Sequence, residues 1–422
     1  MHERLMAVGC GGISVRKLGG DRAGEIRLTR FLRNKSVSIG EMVKVAGERT
    51  SQRVSGRHIL AIQDTTVIQS EGGGGHYLHA MMAVDADDDA VLGLIYGSVM
   101  SRSKGLTATR TERSIEQKQS YRWLEGANAA AKVCATAAKI TVIADRESDI
   151  YEAFERRPKG VDMLIRANHN RALEDGTRLF ATVDSWPACG NVSLDLPARA
   201  GKAARTINMA VRVGAVSIKK PSEIREKKPI SKALNLNFVD VREVNASAGN
   251  TPIHWRLLTT HAVENLQDAL KIIELYRRRW AIEQLFRTLK TQGFDIEGIR
   301  IEEETPRSIL VVAALIAAVS VQQLVHARDG MECGRPIRPL TDTFDAEDAP
   351  LLKAFTQQLE GKTKPQQNPH PEDSLAYGAW VCARLGGWNC YYGKPGPKTM
   401  LAGWLTFQNA KIGAKLRFEI NV

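Results

Sequence analysis

Between His58 and Asp145 the order of apolar and polar stretches admits few architectures. Ile59 to Ile62 reads as a short buried strand that ends at Asp64. Tyr77 to Val84 and Val91 to Met100 read as two further strands, joined by the acidic turn Asp85-Ala-Asp-Asp-Asp89. A helix is expected from about Ser114 to Ala138, followed by an apolar run, Ile140 to Ala144, that ends at Asp145. The order is β-β-β-α-β, with one carboxylate at the end of the first strand and another just after the fourth. In a sheet built this way those two strands are neighbours, so the two carboxylates finish close together.

This is the strand order of an RNase H-like α/β fold. A third carboxylate is expected far downstream, in Tyr276-Arg-Arg-Arg279-Trp-Ala-Ile-Glu283-Gln-Leu-Phe-Arg-Thr-Leu-Lys290, with the spacing Y-x2-R-x3-E-x6-K. At about 100° per helical residue, Arg279, Glu283 and Lys290 fall roughly 60°, 20° and 40° to one side of Tyr276. One helix stripe then carries a carboxylate between two cations and a phenol. That set suits a metal ion with a phosphodiester held beside it.

The spacing resembles the Y-R-E-K motif of the insertion-sequence-4-type DDE transposases, the group that includes the transposon-five transposase. Matches to the family run from about residue 28 to residue 405. The resemblance implies that Asp64, Asp145 and Glu283 are the catalytic carboxylates and hold Mg²⁺, with Mn²⁺ able to substitute. Tyr276, Arg279 and Lys290 then bind the phosphate beside the cut. Trp255 matches the tryptophan that stacks on a base flipped out of the transposon end. Arg166 and Arg171, in Leu164-Ile-Arg-Ala-Asn-His-Asn-Arg171, match phosphate contacts. Lys118, Ser120 and Trp123 match a further family string to which no chemistry is assigned. The implied reaction is cut-and-paste transposition: a nick at the element end, a hairpin, its reopening, and strand transfer. Implied partners are double-stranded DNA, both terminal inverted repeats and target, and a second copy of the chain in a homodimer on DNA.

The 422 residues divide into three expected regions. Residues 1–57 are a small helical DNA-binding region, with Ser38 and Glu41 forming a capping box. Thr29-Arg-Phe-Leu-Arg-Asn34 resembles the end of the family's N-terminal domain, and the chain begins inside it, which implies either a misassigned start or a truncated element. A non-cutting, DNA-binding inhibitor form is therefore the second expectation. Residues 58–330 are the catalytic domain. Asp145 and Glu283 lie further apart than a bare core needs, and the excess is β-patterned: Ile207, Met209, Val211 and Val213 alternate, as do Leu234, Leu236 and Phe238. An inserted all-β subdomain is expected over about 166–255, with the basic stretch Lys219 to Lys228 as a loop. Residues 331–422 are expected to be helical and to aid dimerisation.

The net charge of +12 fits a polyanionic partner. Six scattered cysteines without a C-x2-C pair argue against a zinc site or a disulfide framework, and a reducing cytoplasm, with association to the nucleoid, is expected. The greasiest run, Ile309 to Val321, is too short to span a bilayer and reads as a buried core helix; no membrane partner is expected. The acidic turn is not a calcium loop, because Ala90 and Tyr96 stand where Gly and Glu are required. Gly72 to Gly75 is not a P-loop, since no Gly-Lys-Ser/Thr follows. His76 and His79 are expected on a strand surface, Trp280 in packing, and Asp149 at the surface or behind the site.

Overall fold

The computed structural model describes residues 13–69, 75–101, 114–196, 204–222, 224, 230–245, 251–330 and 337–420. Gly72 to Gly74 and half of the Lys219 to Lys228 stretch lie outside the described residues. One nine-stranded sheet organises the chain: β1 (His58–Ile68), β2 (His76–Asp85), β3 (Val91–Ser101), β4 (Lys139–Ala144), β5 (Val161–Arg166), β6 (Gly190–Leu196), β7 (Arg205–Lys219), β8 (Ala233–Val244) and β9 (His254–Thr259). Their order across the sheet is β3-β2-β1-β4-β5-β9-β8-β7-β6. β1 is antiparallel to β2 and parallel to β4, and β4 is parallel to β5. From β5 onward every pairing is antiparallel.

The helices are α1 (Val15–Gly19), α2 (Arg22–Leu32), α3 (Ile39–Ser51), α4 (Arg122–Val133), α5 (Tyr151–Glu155), α6 (Leu179–Asp184), α7 (Leu266–Arg277), α8 (Trp280–Lys290), α9 (Glu304–Ala327), α10 (Ala349–Leu359), α11 (Leu375–Leu385) and α12 (Pro397–Ile420). Ser38 caps α3, its Oγ accepting the Glu41 N–H at 3.2 Å; such a cap stabilises by about 1 kcal/mol. Because strand side chains alternate with period two, each strand feeds two cores. Leu60, Ile62, Ala80, Met82, Ile143 and Leu164 pack with α8, α9 and α11 on one face. Ile59, Ala61, Met81, Ala83, Val142 and Met163 pack with α4, α5 and α6 on the other. The helix α9 is apolar on nearly every side because it runs through the first core. It is long and apolar enough to cross a membrane, but 83% of that stretch is buried inside the protein.

Several expectations need correcting. The β-patterned stretch after Arg166 joins the central sheet: β9, β8, β7 and β6 extend it from the edge of β5. The strand β1 does not stop at Asp64. It loses its parallel neighbour after Ile62 but continues to Ile68 on β2 alone. The helix expected from Ser114 is two short 3₁₀ turns followed by α4. Tyr276 to Lys290 is not one helix. α7 ends at Arg277, and α8 begins at Trp280 after a turn in which the Arg278, Arg279, Ala281 and Ile282 N–H groups bond three residues back. That tighter 3₁₀ spacing turns Arg279 toward the sheet.

Candidate active site

The parallel register brings the first two carboxylates level. Ile62 pairs with Ile143, and two residues further along each strand stand Asp64 and Asp145. Ala144 pairs with Ile165, so Arg166 stands level with Asp145 on the next strand. Parity puts Asp64, Asp145 and Arg166 on the α8 face, at the carboxyl ends of parallel strands, where open α/β sheets form their ligand crevices. Both neighbours of Asp64 on β1, Gln63 and Thr65, face the opposite core.

Arg279 is the hub. Its Nη1 donates to Asp64 Oδ2 at 3.1 Å, and its Nη2 donates to Glu283 Oε1. Tyr276 Oη donates to Asp145 Oδ1 at 3.3 Å, and Arg166 Nη1 stands 3.8 Å from the same carboxylate. Burial pushes the Asp64 carboxyl up to about 6; the Thr65 N–H and Arg279 pull it down, and Asp145 and Glu283 push it up again. Burial lowers Arg279, yet electrostatic interactions with Tyr276, Asp145 and Asp64 outweigh that and leave it raised. Tyr276 is held far above its ordinary value, by burial first and by Asp145 next, so it stays a hydrogen-bond donor.

The remaining expected residues divide. Trp255 lies on β9 against the first core, edge-on to Tyr276 with ring centroids 5.8 Å apart. Lys290 is anchored to the Val67 carbonyl and to Glu297 at 3.1 Å, bracing the free end of β1. Arg171 does not face the site. Its guanidinium is 10% exposed and binds Asp149 at 2.7 Å. Asp149 is buried, and it also accepts the N–H groups of Asn168 and His169 at 2.7 and 2.9 Å. It folds the loop that follows Arg166.

His79 was expected at a surface and is fully buried, because both faces of the sheet are covered. It belongs to a hydrogen-bond chain behind Asp64. Gln63 Nε2 donates to the Trp123 carbonyl at 3.4 Å, leaving Gln63 Oε1 to accept from His79 Nε2 at 3.2 Å. His79 Nδ1 must then accept from Thr65 Oγ1 at 2.9 Å, and Thr65 Oγ1 accepts from Arg122 Nε at 3.0 Å. A methyl group at Gly126 would strike Gln63 Oε1, so the chain needs a glycine there. Arg122 is the feature that sequence reading missed, although Trp123 beside it had been singled out.

Burial, with the charge of Arg122 beside it, lowers His79 to about 3. The fold therefore prefers the neutral ring. Stability from this group is complete above pH 6.5 and is lost as the pH falls toward 3. His261, lowered to about 4 by burial, adds in the same direction. Urea titrations between pH 6.5 and 4 should show the wild type losing on the order of 3 kcal/mol more than His79→Leu. Equal pH slopes would rule out a neutral buried ring.

Three carboxylates are the hard oxygen donors that Mg²⁺ and related divalent cations take, so the donor set suits such an ion. Among the described residues, however, no three acidic, imidazole or thiol groups stand close enough to hold one ion. The Arg279 guanidinium fills the gap between Asp64 and Glu283.

Residues 118–319 match the family model of the transposase DDE domain, a span that takes in Asp145, Trp255, Tyr276, Arg279, Glu283 and Lys290 and begins after Asp64. That match, over somewhat less than half of the chain, supports a transposase DDE domain and with it the activity of a polynucleotidyl transferase acting on DNA, a class that works with divalent metal ions.

Proposed function

We propose that the chain catalyses cut-and-paste transposition of an insertion-sequence-4-type element, using Asp64, Asp145 and Glu283 on an RNase H-like core. The observation that carries this reading is the level placement of Asp64 and Asp145 on adjacent parallel strands, with Glu283 joined to Asp64 through Arg279. The strand order β3-β2-β1-β4-β5 supports the core assignment. On this reading, residues 1–57 help to bind DNA, the strands from about 166 to 255 flank it, and residues 331–422 aid a homodimer that bridges two element ends.

The three carboxylates would hold Mg²⁺, which when bound supplies Lewis-acid stabilisation of the phosphoryl oxygens and a more acidic water. Arg279 is the exchangeable cation. It neutralises Asp64 and Glu283 before DNA arrives, then turns its planar fork to the incoming phosphate. Tyr276 keeps its proton and orients Asp145. Trp255, against Tyr276, offers the apolar face on which an unstacked base would lie. Water opens a phosphodiester at the element end and leaves a 3′-hydroxyl. That hydroxyl attacks a phosphodiester of the opposite strand, closing a hairpin and releasing the flanking DNA with its own 3′-hydroxyl. Water reopens the hairpin to a 3′-hydroxyl and a 5′-phosphate, and the 3′ ends then attack target phosphodiesters, each displacing a target 3′-hydroxyl.

Mg²⁺-dependent cleavage of linear DNA carrying the element's own ends tests this. The wild type should cut, while Asp145→Ala and Glu283→Ala lose several kcal/mol of transition-state stabilisation, roughly a thousandfold in rate or more, and still bind. Cleavage at the wild-type rate by either variant would remove that residue from the site. Binding without cleavage by the wild type would favour the inhibitor form.

A further inference from the structure

Beside the carboxylate site, at the ends of β5 and β9, lies a pocket of about 230 Å³ lined by Arg146, Arg166, Asn168, Phe180, His254 and Arg256. Three arginines, an asparagine and a histidine line it, and no acidic residue does. Its cations are loosely committed elsewhere. Arg166 stands 3.8 Å from Asp145, and its other nitrogen donates to the His254 carbonyl at 3.0 Å. Arg256 reaches Asp184 at only 3.4 Å and Asp240 at 3.8 Å, well beyond a tight charge-assisted bond. Asp184 instead binds Arg242 closely, at 2.5 Å, and Asp240 binds His254 at 2.5 Å. The Arg256 guanidinium lies over the Phe180 ring, 3.9 Å from its centroid. Arg146 is exposed, one residue past Asp145.

We propose that this pocket binds a backbone phosphate of the DNA strand whose neighbouring phosphate lies at Asp145. The inference rests on the transposase reading and adds where the strand leaves the reacting centre: past Arg166, toward Arg146 and Arg256. Arg166 touches both sites, so one guanidinium links the two phosphates. A guanidinium over an aromatic ring, paired with carboxylates only at long range and with two more arginines beside it, suits a phosphodiester. The contact carries no base information and tethers any sequence alike.

The test is a salt titration of binding to a fluorescein-labelled random-sequence duplex, without divalent metal so that nothing is cut. Wild type is compared with Arg146→Ala, Arg256→Gln and the distant control Lys353→Ala, whose side chain is 53% exposed. Each pocket variant should bind more weakly and lose roughly 0.9 from the log–log salt slope, the mark of one phosphate contact, while the control keeps the wild-type slope. If the wild type binds steeply and the pocket variants match it, or if the control falls equally, the pocket inference fails and the transposase reading stands. If the wild type shows no salt-dependent binding, both fail. Thermal melts accompany each variant; should Arg256→Gln unfold, the exposed Arg146→Ala decides.

Discussion

Asp64→Asn should cut no DNA and yet melt at a higher temperature than the wild type at pH 7.5 in EDTA. Asp64 is held at about 6, mainly by burial, against an ordinary carboxyl near 3.9. Keeping it ionised at neutral pH therefore costs the fold up to about 3 kcal/mol. An amide of the same shape escapes that cost and can still accept the Thr65 N–H, now at 2.8 Å. It gives up the charge pairing with Arg279, so a net gain of about 1–2 kcal/mol is expected. The direction with pH is fixed. Because the folded value is raised, the penalty is complete above about pH 6 and fades as the pH falls toward 4. The melting advantage of Asp64→Asn must shrink over the same range. A lower melting temperature at pH 7.5, or an advantage that ignores pH, would sink the argument.

Arg279 is driven up while Asp64 is not driven down, and the asymmetry has a simple origin. One guanidinium collects favourable interactions from Asp64, Asp145 and Tyr276 together. Asp64 shares that cation with Glu283 and also feels Asp145 and Glu283, on top of its burial. The site is thus under-neutralised, a stability–activity trade-off of the kind expected where a protein holds a charge for an absent partner.

Much of this was legible in the chain. The apolar runs before Asp64 and before Asp145 mark two strands, and the strand order makes them neighbours. Parity then did the rest, putting both acids and Arg166 on one face. What periodicity cannot supply is the partner of a strand or of a charge. β7 and β8 were readable as strands, but nothing in their alternation says that β9 pairs with β5. Leu78, His79 and Ala80 alternate as a half-exposed strand would, yet α4 covers the face that His79 occupies. Arg171 sits in a basic string that reads as a phosphate contact; the carboxylate that claims it, Asp149, lies 22 residues upstream. Tyr276 to Lys290 has continuous helical periodicity, and only the local 3₁₀ turn at Arg278 and Arg279 divides it.

The second large effect is expected at Asp149. Its side chain is fully buried and accepts from the N–H groups of Asn168 and His169 and from Arg171 Nε and Nη2. Asp149→Ala would strand a buried guanidinium and two backbone donors at once. Removing one partner of such a pair costs about 3–5 kcal/mol, and the orphaned N–H groups add to it. The loss should fall as Arg171 is removed too: Asp149→Ala with Arg171→Met should be more stable than Asp149→Ala alone, because no unpaired charge remains. The loop these bonds hold runs directly on from Arg166. A folded Asp149→Ala protein at low temperature should therefore cut more slowly than wild type while keeping its carboxylates. Urea unfolding of the two singles and the double gives the coupling. If the singles simply add, Asp149 is not the anchor of Arg171, and the basic side chain regains its claim to the DNA.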